Sequence, residues 1–353
     1  MDSNAGTNVD SKAGSRVNPN LVNSKPFGGR RLLWPALLLS GLAYIGLTLW
    51  FPLGPNLVYV PAVDIIELAY SPAAGLAYAG LLILLFVLLI VAVRSVWLRG
   101  IWREGEDRAA WQTLLVILGV GILFGLPLVL AYPINATDVF RYGQQGRISA
   151  LYAGNPFLDP LSDYPDDPLY PYAGEWFDET TPYGPVWEIA AGLLARFSSP
   201  DAFGTLITFK SFGLVLLLAT SVLLWQLTSE LPTNRRAAYV ILWAWNPALL
   251  LTFVANGHND AFMLFWLLLG LLAMRLGRPL VGLSLVVVAV LTKPIALLAL
   301  PIFLASELRK QETGEQRARL VAAVVLLGIA LTGLAFLPWA GQGGWLAAPS
   351  ALT

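Results

Sequence analysis

Residues 133–187 read PINATDVFRYGQQGRISALYAGNPFLDPLSDYPDDPLYPYAGEWFDETTPYGPVW. The stretch holds Asp138, Asp159, Asp163, Asp166, Asp167, Glu175, Asp178 and Glu179 among many tyrosines and prolines. Hydrocarbon does not accommodate so many charges. The runs on either side are apolar and long enough to cross a bilayer. A loop this long rarely serves as connection alone. The expectation is a folded segment outside the membrane that carries the chemistry, positioned by the helices around it.

Composition agrees. The chain has 353 residues, 57% hydrophobic and 12% charged, against about 25% charged in ordinary soluble domains. The apolar runs are too long for barrel strands, so the fold class expected is all-α and polytopic in the membrane. Basic and acidic side chains balance at 22 each, which gives no basic surface for nucleic acid. The absence of cysteine excludes disulfides and thiolate chemistry, and the lone histidine, His258, excludes a histidine-rich metal site.

Working outward, residues 1–29 are rich in Asn, Ser, Gly and Lys and read as a disordered cytoplasmic tail. Residues 30–353 read as a single transmembrane domain with no internal repeat. The first apolar run is too long for a cleaved leader. Spans are expected at 32–53, 73–93 and 111–132, with Arg30 and Arg31 before the first and Arg94, Arg99, Arg103 and Arg108 after the second. The positive-inside tendency then places 133–187 outside. Beyond it, 186–197 reads as a surface helix. Further spans follow at 203–225, with Lys210 near its outer end, 237–254, 261–274 and 320–337. Arg235, Arg236, Arg275, Arg278 and the basic run 308–319 mark the inner side. The apolar run 282–304 is broken at Thr292-Lys293-Pro294. Read as a hairpin, it brings the count to about nine crossings; the other reading is one kinked helix with a snorkelling lysine. After 337 the chain is expected to end outside.

Inside the polar stretch a short helix is legible. Asn135 or Thr137 can cap it, and Gly154-Asn155-Pro156 stops it. Asp138, Arg141, Tyr142 and Gln145 fall on one polar face at i, i+3, i+4 and i+7. Two readings of Asp138 stand: a charge at the helix terminus, or a catalytic carboxylate at the water–membrane boundary. Arg141 is either its i, i+3 partner or a phosphate contact. The turn ANGHND at 255–260 is expected on the same side as Asp138. It reads as a polar turn with Asn259 or Asp260 as N-cap, or as part of the site; three polar side chains exceed what a cap requires.

Five segments in order carry a resemblance: TDVFRYGQQGR, AGNPF, TPYGPVWE, NGHNDAF and LTKPIALLALP, between about Leu114 and Pro301. In that order they resemble the GT-C glycosyltransferases, and among them the bacterial polyprenyl-phosphate-mannose-dependent α-mannosyltransferases. The resemblance implies transfer of a sugar, mannose in that family, from a polyprenyl-phosphate donor to a glycan or lipid-linked acceptor. The active site would lie outside the plasma (inner) membrane. It implies Asp138 as the base that activates the acceptor. That family usually continues with further C-terminal spans, so the resemblance implies a fragment or a compact version. The double-Asp form of some relatives is absent, since Asp138 follows Thr137.

The residues suit that chemistry independently. Breaking a sugar–phosphate C–O bond through an oxocarbenium-like state calls for a carboxylate near the acceptor hydroxyl and positive groups on the leaving phosphate. Arg141, Lys210, His258 and Lys293 are candidates for the phosphate; Tyr183, Trp187 and Trp176 for stacking on sugar. Tyr142, Gln145, Asn155, Asn259 and Asp260 complete the expected substrate-binding set. No carboxylate pair at a recognisable spacing suggests a covalent route, so one inverting displacement is expected. No cofactor is expected; a divalent metal between Asp138 and Asp260 would have a thin ligand set. The rival class is a transporter or flippase, for which Lys210, Lys293 and the Pro-broken helix would line a pathway. A third reading is an inactive partner subunit.

Overall fold

A computed structural model describes residues 29–68, 71–101 and 110–341. The tail expected over 1–29 lies outside the described residues except for Gly29. So do Arg103, Arg108, the side chains of Arg30 and Arg31, and the chain beyond 341. Among the described residues the chain is helical, with a single isolated bridge between Pro52 and Ala131.

In order come α1 (Gly29–Trp50), the short α2 (Leu53–Asn56) and α3 (Ile65–Leu68), α4 (Pro72–Arg99) and α5 (Ala110–Val129). The polar stretch then supplies α6 (Asp138–Ala150), three short 3-10 turns and the start of α7 (Pro185–Phe197). After it follow α8 (Ala202–Leu227), α9 (Thr233–Ala244), α10 (Pro247–Leu249), a π-helical turn (Leu250–Ala255) and α11 (Asp260–Arg275). Last are α12 (Pro279–Thr292), a 3-10 turn (Pro294–Leu298), α13 (Leu300–Leu308) and α14 (Gly314–Phe336). Local chemistry sets several starts. Ser71 Oγ accepts from the Ala74 N–H at 3.2 Å, Asp201 Oδ1 accepts from Gly204 N–H at 2.6 Å, and Thr313 with Gln316 forms a capping box. The helix is interrupted at Asn246-Pro247: α9 stops at Ala244, and Asn246 Oδ1 caps the next turn by accepting from the Ala248 N–H.

The chain is a polytopic helical membrane protein. Among the described residues six segments are long and apolar enough to cross a bilayer: Leu32–Trp50, Pro72–Arg99, Ala110–Val129, Ala202–Leu227, Thr233–Ala255 and Gly314–Trp339. The nine crossings expected from the sequence add α11, of 16 residues, and the two limbs Pro279–Thr292 and Pro294–Leu308.

Those limbs fold back on each other. Lys293 is extended at φ −147°, ψ 119°, as a residue before proline prefers. Leu300, Phe303, Leu304 and Leu308 of α13 pack in one cluster with Leu283 and Val286 of α12, Met274 of α11 and Leu320 of α14. A straight helix would carry Leu308 more than about 35 Å from Leu283. The segment therefore turns at Lys293 and returns to the end it left. At that end the basic residues gather. Arg235 lies 5.3 Å from the Trp97 ring, Arg236 Nε donates to the Trp225 carbonyl, and Arg275 pairs with Glu230.

The polar stretch is clamped from within. Arg147 Nε lies 2.6 Å from Asp167 Oδ2, both buried, and Tyr152 Oη donates to the same oxygen at 2.7 Å. Asp159 Oδ2 accepts from the Asn155 N–H at 2.6 Å and from Tyr164 Oη at 3.2 Å. Two of its carboxylates thus hold the loop together rather than face a substrate.

Candidate active site

Asp138 opens α6, its side chain 35% exposed. Neither expected cap acts: Thr137 sits at the N-cap without a side-chain bond, and Asn135 Oδ1 accepts from Tyr78 Oη at 2.9 Å. The lead into Asp138 is fixed from elsewhere. The buried Asn256 side chain accepts from both Ile134 N–H, at 2.9 Å, and Asn135 N–H, at 3.2 Å. One amide from the 255–260 turn thereby sets the register of the Asp138 approach.

That turn reverses tightly at Gly257, whose φ of +67° falls where only glycine is unstrained. It presents His258 between two carboxylates. His258 Nε2 is 3.8 Å from Asp138 Oδ2, and Nδ1 is 3.9 Å from Asp260 Oδ2. From the hairpin tip Lys293 Nζ reaches Asp260 Oδ2 at 2.9 Å and Asn259 Oδ1 at 3.3 Å. Asn259 stands at the N-cap of α11 but makes no side-chain cap bond; its amide oxygen faces the lysine. The reading of this turn as a simple cap thus gives way to a cross-linked cluster.

Beneath the cluster lie two phenols. Tyr183 Oη donates to Tyr142 Oη at 3.3 Å, and Tyr142 Oη approaches Asn259 Oδ1 at 3.5 Å. The Tyr183 ring lies under the Lys293 ammonium, 5.7 Å from centroid to Nζ, within cation–π range. Burial pushes the Tyr183 hydroxyl up to about 12 and the Tyr142 hydroxyl well above its usual range, so both are neutral donors. The turn carrying Tyr183 locks onto the hairpin: Gly184 N–H donates to the Thr292 carbonyl at 3.1 Å, and a Cβ at 184 would collide with the Leu291 carbonyl.

The structure thus brings together Asp138, Tyr142, Tyr183, His258, Asn259, Asp260 and Lys293. Other expected residues are spent elsewhere. Arg141 does not pair with Asp138: its Nη2 donates to the Thr180 carbonyl at 2.6 Å, and its guanidinium lies 5.1 Å from the Trp176 ring. Gln145 is buried two turns further along α6. Trp187 is buried against Tyr142 and Phe262, because the start of α7 turns it inward, so it backs Tyr142 instead of offering a sugar face. Asn155 Oδ1 accepts from the Phe157 N–H at 3.1 Å and belongs to its own turn. Lys210 is fully buried and donates to the Ala131 carbonyl, which removes it from the phosphate candidates.

Two residues escaped the sequence reading. Asn256 is one; its motif was noticed, its role as a strut was not. Glu188 is the other. It sits on the stripe of α7 that also carries Ala191, Gly192 and Ala195, all buried. A carboxylate on an apolar stripe was the signal available. As to a metal, Asp138, His258 and Asp260 are the groups that could hold one. Among the described residues no three such side chains converge as an ion-binding group, and Lys293 already engages Asp260.

The family described as "Alpha-(1->6)-mannopyranosyltransferase, N-terminal domain" matches over residues 47–309. The chain is 26% identical over 235 residues to Alpha-(1->6)-mannopyranosyltransferase A of Corynebacterium glutamicum, covering 62% of this chain and 47% of that protein. It is 29% identical over 244 residues to Alpha-(1->6)-mannopyranosyltransferase A of Mycobacterium tuberculosis, covering 64% and 45%. The chain spans about half the length of these curated relatives. No solved structure matches it. The family match takes in Asp138, the 255–260 turn and Lys293 alike, and the chain belongs to the alpha-(1->6)-mannopyranosyltransferase family.

Proposed function

We propose that this chain transfers a mannosyl unit from a polyprenyl-phosphate-linked donor to a glycan or lipid-linked acceptor. The observation that carries the reading is the meeting of a solvent-reached carboxylate, Asp138, with an ammonium at a membrane-hairpin tip, Lys293, through His258 and Asp260. Asp138 takes the proton of the acceptor hydroxyl. The freed oxygen attacks the anomeric carbon as the C–O bond to phosphate breaks, and that bond's electron pair leaves on the phosphate oxygen. Lys293, exchanging Asp260 for the phosphate, neutralises the leaving group, and His258 donates a hydrogen bond to it. A single displacement inverts the anomeric centre. The reading routes no step through a metal ion.

The basic end of the bundle lies opposite this cluster, which supports an extracytoplasmic site in the plasma (inner) membrane with a cytoplasmic N-terminus. The polyprenyl chain of the donor would stay in lipid, beside the hairpin whose tip holds Lys293.

Purified protein given radiolabelled polyprenyl-phosphate mannose and short mannan acceptors tests the proposal. Transfer is expected, insensitive to EDTA, and lowered at least ~100-fold by Asp138→Asn. No transfer by the wild-type chain would overturn the reaction; near-normal turnover of the variant would overturn the base.

A further inference from the structure

Glu188 is fully buried and lies outside the cluster around Asp138. Its Oε1 accepts from Thr181 Oγ1 at 2.6 Å, and Thr181 Oγ1 in turn accepts from the Tyr183 N–H at 3.2 Å. Tyr183 then reaches the cluster at two points, its hydroxyl on Tyr142 and its ring under Lys293. One residue earlier, the Thr180 carbonyl holds Arg141. The turn 180–184 is therefore tied at Thr180 to α6, at Thr181 to α7 and at Gly184 to α12. Of these ties only the one through Glu188 has a side chain at both ends.

We propose that Glu188 is a positioning residue for the donor side of the site, acting through Thr181 to hold the Tyr183 ring against Lys293. The inference rests on the transfer reaction proposed above for its kinetic arm, and on geometry alone for its structural arm. A threonine hydroxyl can serve Tyr183 N–H as acceptor and Glu188 as donor at once, which fixes its rotamer. Without the carboxyl the hydroxyl loses that orientation, and the Tyr183 N–H keeps a less firmly held acceptor, while the Thr181 N–H still donates to the Pro156 carbonyl and Tyr183 Oη to Tyr142. Glu188 Oε2 has no protein partner, and burial pushes the carboxyl up to about 7, so the neutral acid suits the site better than the carboxylate. A glutamine should therefore replace it where an alanine should not.

Hydrogen exchange and kinetics are measured together on the full chain in detergent, for wild type, Glu188→Ala, Glu188→Gln and Thr181→Val. Glu188→Ala and Thr181→Val should speed exchange of the Tyr183 N–H at least tenfold while α8 is unchanged. Glu188→Ala should raise the apparent donor KM at least fivefold and leave the acceptor KM within twofold. Glu188→Gln should restore both to within twofold of wild type. A role confined to general stability would lower the active fraction and move neither KM. Unchanged exchange at Tyr183 in both Glu188→Ala and Thr181→Val overturns the inference, as does an equal rise in both KM values. If wild type transfers no mannose yet the exchange shift appears, the positioning stands and the transfer reading fails. Should Glu188→Ala not fold, Thr181→Val carries both tests: faster exchange at Tyr183 with a raised donor KM is expected, and the absence of both changes overturns the inference.

Discussion

Lys293 Nζ lies 2.9 Å from Asp260 Oδ2, so the tip of a membrane hairpin is ion-paired to the first residue of a neighbouring helix. Both side chains are partly exposed, at 25% and 32%. A pair this wet adds at most about 1 kcal/mol to stability. Lys293→Gln should therefore leave the melting temperature nearly unchanged. It should raise the donor KM or lower kcat at least tenfold, read by the transfer assay. Unaltered kinetics would remove Lys293 from the phosphate. A single cysteine at position 310 should label from the same membrane face as one at 235 and from the opposite face to one at 258; labelling of 310 and 258 from one face would break the hairpin topology.

Asn256 accepts two backbone N–H groups in a buried position. Asn256→Leu leaves both donors unmatched, at roughly 1–3 kcal/mol each. The variant should lose several degrees of melting temperature in detergent, and turnover should fall further than the folded fraction does, because the Asp138 approach loses its register. A drop in turnover no larger than the unfolded fraction would show that Asn256 serves stability alone.

The clamp between Arg147 and Asp167 is buried on both sides. Arg147→Met should destabilise by about 3–5 kcal/mol, since it strands a buried carboxylate. The double change Arg147→Met with Asp167→Leu should recover much of that loss. Thermal unfolding of the three proteins checks this; a double variant as unstable as the single would mean that shape, not charge, holds the loop.

Glu188 has its folded-state pKa raised from 4.5 to about 7 by burial. Its protonated form is favoured by folding, so its contribution is full below about pH 4.5 and is lost as pH rises through 7. Over that window wild type should lose about 3 kcal/mol relative to Glu188→Gln. Melting temperatures of the two at pH 5 and pH 8 test the sign: the glutamine variant should gain on wild type at the higher pH.

Much of this was readable beforehand, for identifiable reasons. The spans follow from run length and the break at Lys293 from Pro294, which disfavours a helical residue before it; Pro35 and Pro127, inside α1 and α5, show that the preference can be overridden. The meeting of Asp138 with His258 followed from charge-based topology alone, since both were placed at one end. What stayed hidden depends on side-chain direction. Nothing in RYGQQGR says that Arg141 bonds the Thr180 carbonyl instead of Asp138, since both partners lie within its reach. Trp187 read as a sugar platform because an aromatic after a turn can face either way; packing against Tyr142 decided it. Asn155 read as a substrate contact, but its side chain closes its own turn onto the Phe157 N–H two residues on, a local use that a Gly-Asn-Pro sequence allows without requiring.

The bond from Gly184 N–H to the Thr292 carbonyl joins a segment in water to one anchored by hydrocarbon. The hairpin is held by its apolar limbs against α11 and α14, while the 180–184 turn is held by α6 and α7. Through that bond the two segments move as one. Lys293, one residue beyond that bond, shares the position of the turn that carries Tyr183.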